Sequence, residues 1–206
     1  MTFSEALVGS VGMVVIQLAK LSGLTVITTA SQKNTEYLKS LGADYVFPYN
    51  DPNTPVEIRK ITNGKLYLAY DTISEKDTTQ LAIDAFGADS DIPKGKKKEL
   101  INLRSVPREV LDSKADSVTR HRLLGTQLLG KDITVFGIHV PADPSIYAFS
   151  IHSYDLLERL LKDKKLQHQR TKILGGLEHV SEGFGYMKEG KISAEKIIYR
   201  PAETKQ

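Results

Sequence analysis

Two glycines three residues apart, Gly9 and Gly12, stand at the mouth of a stretch in which Val11, Val14, Val15, Leu18 and Ala19 recur at helical spacing. A helix N-terminus leaves unpaired N–H groups and a partial positive charge, and glycine there lets backbone come close to a ligand. Gly9, Ser10, Val11 and Gly12 are therefore candidates to seat a pyrophosphate. The spacing matches the last two glycines of G-x-G-x-x-G, with Leu7 in place of the first. A turn that merely packs reads the same way. In a dinucleotide fold the residue ending the second strand selects the cofactor: an acid holds the ribose 2′-OH of NAD, whereas the 2′-phosphate of NADP needs donors and positive charge. Here that position is Ser31, with Lys33 two residues on and no acid between Thr25 and Thr35. Tyr49 could add a donor. A helix cap for Ser31 and a solvated side chain for Lys33 are the bland alternatives.

Other chemistry is poorly supported. The histidines at 121, 139, 152, 168 and 179 never fall at i, i+4 with an acid between, so no zinc site of the H-E-x-x-H kind is expected. Ser10 could suggest a nucleophile elbow, but Val8 replaces the glycine which that turn needs.

The elements that would position these residues alternate. Residues 1 to 7 should be the first strand, yet Ser4 and Glu5 interrupt them where a buried parallel strand would be continuously aliphatic. Strands are expected at 24–30, 45–47, 66–71, 99–103 and 133–137, with helices at 11–21, 34–41, 55–62 and 75–86 between them. Gly42 stops the second helix. Lys94 and Lys96 to Lys98 form a solvated loop, and 104–122 reads as irregular and polar. Beyond the turn Pro141 to Pro144, a helix is expected at 153–165 under a Ser153 cap, then one around Val180, Phe184 and Met187, then a strand at 196–199. This pattern predicts an α/β fold, a doubly wound, Rossmann-like parallel sheet whose first strand is truncated or divergent, with a short C-terminal helix-strand extension. Residues 1–150 would be the NADP(H)-binding domain and 151–206 an extension packing on the same unit.

Composition narrows the partners. At 206 residues with 26% charged and 40% hydrophobic residues, the chain can bury a core. A net charge of +3 is too small to argue for nucleic acid, and none is expected as a partner. The absence of cysteine removes disulfides, thiolate catalysis and Cys-ligated zinc, and fits a reducing, cytoplasmic setting. No apolar run reaches membrane-spanning length, and Met1 to Glu5 has no secretory character.

The residues also carry a family resemblance. Val11-Gly12 through Gln17-Leu18-Ala19-Lys20-Leu21, then Thr28 to Ser31, Leu38 to Asp44 and Val46 to Tyr49, resemble the cofactor domain of the medium-chain dehydrogenase/reductase superfamily. The likeness is to its zinc-free, quinone-reductase-like branch, particularly the fungal trans-acting enoyl reductases. Gly176 to Gly183, Met187 to Ser193 and Glu195 to Tyr199 agree at the far end. The resemblance implies NADPH, with the phosphate turn on Gly9, Ser10, Val11 and Gly12, adenosine-phosphate contacts on Ser31, Lys33, Asn34 and Tyr49, the end of the fourth strand on Thr72 and Ile73, and a further contact on Ser193. It implies the reduction of an activated C=C or C=O bond on a small molecule, and leaves a homodimer open. Family members carry an N-terminal substrate domain ahead of this segment, with an aliphatic strand and a glycine pair where this chain has Met1 to Leu7, so no catalytic residue is assigned here. A non-catalytic nucleotide-binding or interaction module derived from such an enzyme, and an NAD-linked binding protein of another doubly wound family, are the competing expectations.

Overall fold

The computed structural model describes residues 2–5, 9–122, 124–135 and 137–205. Its centre is a six-stranded parallel sheet of β1 (Thr2–Glu5), β2 (Val26–Ala30), β3 (Tyr45–Pro48), β4 (Leu68–Asp71), β5 (Glu99–Asn102) and β6 (Thr119–Arg122). The spatial order β3-β2-β1-β4-β5-β6 is that of dinucleotide-binding folds, reversing direction between β1 and β4. The expected doubly wound architecture is therefore present.

Helices cover both faces. On one side α1 (Ser10–Leu21) and α2 (Thr35–Ser40) bring Met13, Ile16 and Leu38 onto Val26 and Ala30. On the other, α3 (Thr54–Thr62) and α4 (Lys76–Ala85) bring Ile58, Ala82 and Ile83 onto Ile27, Ala69 and Leu100. All five residues of β2 are buried, as a strand covered on both sides requires.

The segment the sequence makes least convincing as a strand holds the middle of the sheet. Thr2 lies opposite Val26 and Leu68, and Glu5 opposite Thr29 and Asp71. A strand laddered on both sides satisfies its backbone whatever its side chains, so position in the sheet overrides propensity. Leu7 and Val8 lie outside the described residues.

Several expected elements move. The buried face of α1 runs through Gly12, Met13, Ile16, Gln17 and Ala19, while Val11 is exposed. This helix is apolar nearly all round, so periodicity could not orient it. Within the stretch expected to be irregular, Thr119–Arg122 adds β6 as an edge strand. The strand expected at 133–137 does not join the sheet. Instead Ile133–Val135 (β7) pairs antiparallel with Ile138–Val140 (β8). The helix expected to start at Ser153 begins nine residues earlier, as α5 (Pro144–Lys162), with Pro144 in its first turn and the Asp143 carboxylate accepting from the Ser145 and Ile146 N–H groups. Ser153 sits inside it, donating its hydroxyl to the Phe149 carbonyl. Lys98, expected in a solvated loop, is largely buried and pairs with Asp89 at 2.6 Å.

The C-terminal part comprises β9 (Arg170–Ile173), α6 (Val180–Lys188) and β10 (Glu195–Ile198), with β9 and β10 parallel. Side chains tie it to the main sheet's helical layer. The Tyr37 ring lies 3.8 Å under the Arg170 guanidinium, and Asn34 bonds to Ser193. Among the described residues no helix is long and apolar enough to cross a membrane.

Candidate functional site

At the carboxyl end of β2 and β3 the chain forms a cleft of about 470 Å³. Gly9, Ser31, Lys33, Asn34, Tyr49 and Ser193 line it, and Gly190 and Ile192 complete the wall. All four residues expected to meet a cofactor's adenosine phosphate, Ser31, Lys33, Asn34 and Tyr49, thus come together, joined by Gly9 and by Ser193 from the far end of the sequence.

Gly9 is the N-cap of α1 in extended conformation, with no side-chain cap and no acid in the first turn. The first turn therefore supplies no acid of its own to the positive end of the helix. Ser10, Val11 and Gly12 form that first turn and do not themselves line the cleft.

Ser31 precedes a single 3-10 turn over 32–34, yet its side chain makes no cap hydrogen bond. Its hydroxyl is instead fixed by Asn34, whose Nδ2 donates to Ser31 Oγ at 2.9 Å and to Ser193 Oγ at 3.0 Å. Asn34 is 6% exposed, so these bonds form away from water. Each serine hydroxyl has one proton and two lone pairs. With a lone pair on each taken by Asn34, both O–H groups keep their protons for a ligand. Lys33 is exposed and forms no ion pair among the described residues, and the Tyr49 ring stands half open to solvent. The cleft is a set of donors with a net positive charge. Glu36, three residues after Lys33, pairs with Lys39 at 3.3 Å and lines no part of it.

Ser193 is positioned from the far side by backbone. The next residue, Ala194, is buried with φ +56°, a left-handed conformation that costs a non-glycine residue about 1–3 kcal/mol. That strained turn delivers the serine to Asn34.

Thr72 and Ile73 follow β4 and stand apart from this cleft, on the other side of the reversal in strand order. Asp71 holds their loop: its buried carboxylate accepts from the Ile73 and Ser74 N–H groups at 2.9 and 2.7 Å and from the Thr79 hydroxyl at 2.7 Å. Ser74 adopts φ +60° under that grip and donates back to the Asp71 carbonyl. Gly190 and Ile192 were missed as cleft residues. Their signal was adjacency to Ser193 in the Met187-to-Ser193 segment.

A doubly wound sheet with a donor-lined cleft at its carboxyl edge defines a dinucleotide-type fold. Comparison with known proteins narrows the class. The family described as "Zinc-binding dehydrogenase" matches residues 10–92. A trans-enoyl reductase of Alternaria alternata is 34% identical over 190 residues, covering 92% of this chain and 51% of the relative. The crystal structure of the CurK enoyl reductase superposes with TM-score 0.72 at 16% identity, covering 97% of this chain and 54% of that one. CurA from Vibrio vulnificus, solved in complex with NADPH, gives TM-score 0.63 at 19% identity, covering 100% and 57%. The chain belongs to the medium-chain dehydrogenase/reductase superfamily, and it spans about half the length of the curated relatives it matches. Zinc does not fit the residues present: the chain has no cysteine, and no three of the described His, Asp and Glu side chains converge.

Proposed function

We propose that this chain is the NADP(H)-binding part of an oxidoreductase that reduces activated C=C or C=O bonds. One observation carries the cofactor assignment: buried Asn34 donates to both Ser31 and Ser193, which leaves two hydroxyl protons to be donated to a ligand in the cleft that Lys33 charges. A 2′-phosphate accepts such bonds; a ribose 2′-OH, which needs a carboxylate to donate to, finds none there. When bound, the nicotinamide supplies hydride chemistry, and the protein's part is to hold and orient it. Gly9 and the first turn of α1 would face the pyrophosphate, and the loop that Asp71 braces would present Thr72 and Ile73 to the nicotinamide half. The reductase reading is supported by the trans-enoyl reductase named above.

Fluorescence titration of the full chain with NADPH and NADH tests the assignment. NADPH should bind more tightly, and Lys33→Ala should weaken NADPH about tenfold or more, the loss of a charge-assisted contact of about 1.5–3 kcal/mol. NADH should be little affected. Equal affinities, or an alanine variant that loses both alike, would overturn the 2′-phosphate role.

A further inference from the structure

At the opposite end of the sheet's carboxyl edge, the structure holds a second, smaller cleft of about 140 Å³, lined by Asn102, Arg104, Ser105, Val106, Arg120, His121 and Arg122. We propose that this arginine cleft binds a phosphate group carried by the acceptor substrate. The inference deepens the reductase reading and rests on it for the word substrate; the anion site stands on its own geometry.

The fold itself gathers the arginines. Parallel pairing sets Leu100 opposite Arg120 and Asn102 opposite Arg122, so two arginines lie two residues apart on one face of the edge strand β6. Arg104 arrives from the loop after β5. That loop is anchored at its root by the Leu103 N–H donating to Ser74 Oγ at 2.8 Å and by Asn102 Nδ2 donating to Thr79 and Asp71.

Charge in the cleft is only weakly compensated. No carboxylate lines it among the described residues. Arg120 donates to the Val106 carbonyl at 2.9 Å and has no acid within ion-pair distance among the described residues. Arg104 reaches Glu75 only at 3.7 Å, with both side chains about two-thirds exposed, a pair of little weight in water. Arg122 has neither an ion pair nor a side-chain hydrogen bond among the described residues. His121 lies 3.9 Å from Glu99, beyond hydrogen-bond reach. Arginines that line one cleft repel one another until an anion joins them, and their planar donors match the oxygens of phosphate. The space, about 140 Å³, is enough for one tetrahedral oxyanion.

Location points to the acceptor. Dinucleotides lie across the reversal in strand order, here between β1 and β4, with one half on each side. The cleft containing Lys33 takes the β2 and β3 side. Strands about 4.8 Å apart put the arginine cleft about 15–20 Å away, beyond β4 on the nicotinamide side. An acceptor reaching the nicotinamide would have its anionic end within reach of β6.

The test is a two-dimensional amide NMR titration of the Lys33→Gln chain, which removes the other cleft's cation, with inorganic phosphate and in parallel with acetate. Saturable shifts confined to residues around 104–106 and 120–122, at least tenfold tighter for phosphate, are expected. Arg104→Gln/Arg122→Gln should abolish them while cross-peaks elsewhere stay in place, and in the Lys33 background of the natural chain should leave NADPH affinity within twofold. An absence of saturable shifts, a double variant that still binds phosphate, or acetate binding equal to phosphate would each overturn the proposal. If phosphate binds here but the natural chain binds no NADPH, the reductase reading fails and the anion site remains.

Discussion

The side-chain amide of Gln17 and the backbone of Gln167 form a reciprocal pair 150 positions apart in sequence. Gln17 Nε2 donates to the Gln167 carbonyl at 3.0 Å, and the Gln167 N–H donates to Gln17 Oε1 at 2.7 Å. The helix whose N-terminus faces the cofactor cleft is thereby joined to the chain leading into β9. Gln17 is 6% exposed while Gln167 is exposed, so its loss removes two hydrogen bonds and leaves the Gln167 backbone groups to water. Gln17→Ala should destabilise the protein by about 1–3 kcal/mol, read as a lower urea midpoint at unchanged slope. Hydrogen exchange at the Gln167 amide should accelerate more than exchange in β4. An unchanged midpoint would show that the pair contributes nothing.

Gly87 passes against Gly64 with no room for a side chain. A Cβ at Gly87 would lie 2.6 Å from the Gly64 Cα, which is backbone and cannot rotate away. Gly64 is itself fixed, with φ +71° after the α3 C-cap at Asn63. Gly87→Ala should cost about 1–3 kcal/mol, as overpacking does. Gly95→Ala is the control, since a Cβ there meets nothing within 4 Å and pays only the strain of φ +80°. Thermal melts should rank Gly87→Ala clearly below Gly95→Ala; the reverse order would refute the contact.

How far the sequence could be read depended on whether local signals agreed with burial. Strand β2 and the end of α2 at Gly42 were legible because β-branched runs and a glycine at φ +109° act locally. Strand β6 was not, because Thr-Arg-His-Arg holds no apolar residue; an edge strand can be polar, and its charge deters further pairing. The start of α5 was misplaced since Asp143-Pro144 reads equally as a turn and as a cap followed by a first-turn proline. In the site, Ser31, Lys33, Asn34, Tyr49 and Ser193 were all marked, but nothing in the sequence could say that Asn34 links two serines 162 positions apart.

Asp44 makes stability depend on pH. Burial works against its charge, but the Lys20 ammonium at 2.6 Å and the Val26 N–H at 2.8 Å outweigh it and hold the carboxyl below the usual carboxylate range. A folded-state value lowered relative to the unfolded chain gives stability that is fully present above the unfolded value, near pH 4, and is lost as pH falls through the folded one. Both side chains are partly exposed, at 46% and 31%, so solvent screening keeps the contribution to about 1 kcal/mol or less. Asp44→Asn should remove that share of the acid sensitivity between pH 5 and pH 2, about one carboxylate's worth. Urea midpoints across that range for both proteins make the measurement. Parallel curves would show that the pair has no net linkage.

Cofactor choice should follow the polarity that Asn34 imposes. Its Nδ2 occupies a lone pair on Ser31 Oγ and on Ser193 Oγ, leaving both protons for the ligand. An aspartate of the same shape has no donor, so in Asn34→Asp the two hydroxyls would turn their protons inward to the carboxylate and offer lone pairs to the cleft. A new negative charge would also stand beside the phosphate seat. Losing even one charge-assisted contact of about 1.5–3 kcal/mol weakens binding about tenfold to a hundredfold, so NADPH affinity should fall by at least tenfold. NADH carries a 2′-OH that can donate to the altered cleft, so its affinity should hold or rise, and the NADPH-to-NADH ratio should fall at least as far as the NADPH affinity does. Asn34→Ala separates the effects: it frees the hydroxyls without reversing them, and its NADPH affinity should lie between those of the natural chain and Asn34→Asp. Fluorescence titration of the three proteins, with matched thermal melts to establish that each is folded, gives the comparison. If folded Asn34→Asp keeps the preference for NADPH, the orientation of the serine hydroxyls does not govern cofactor choice.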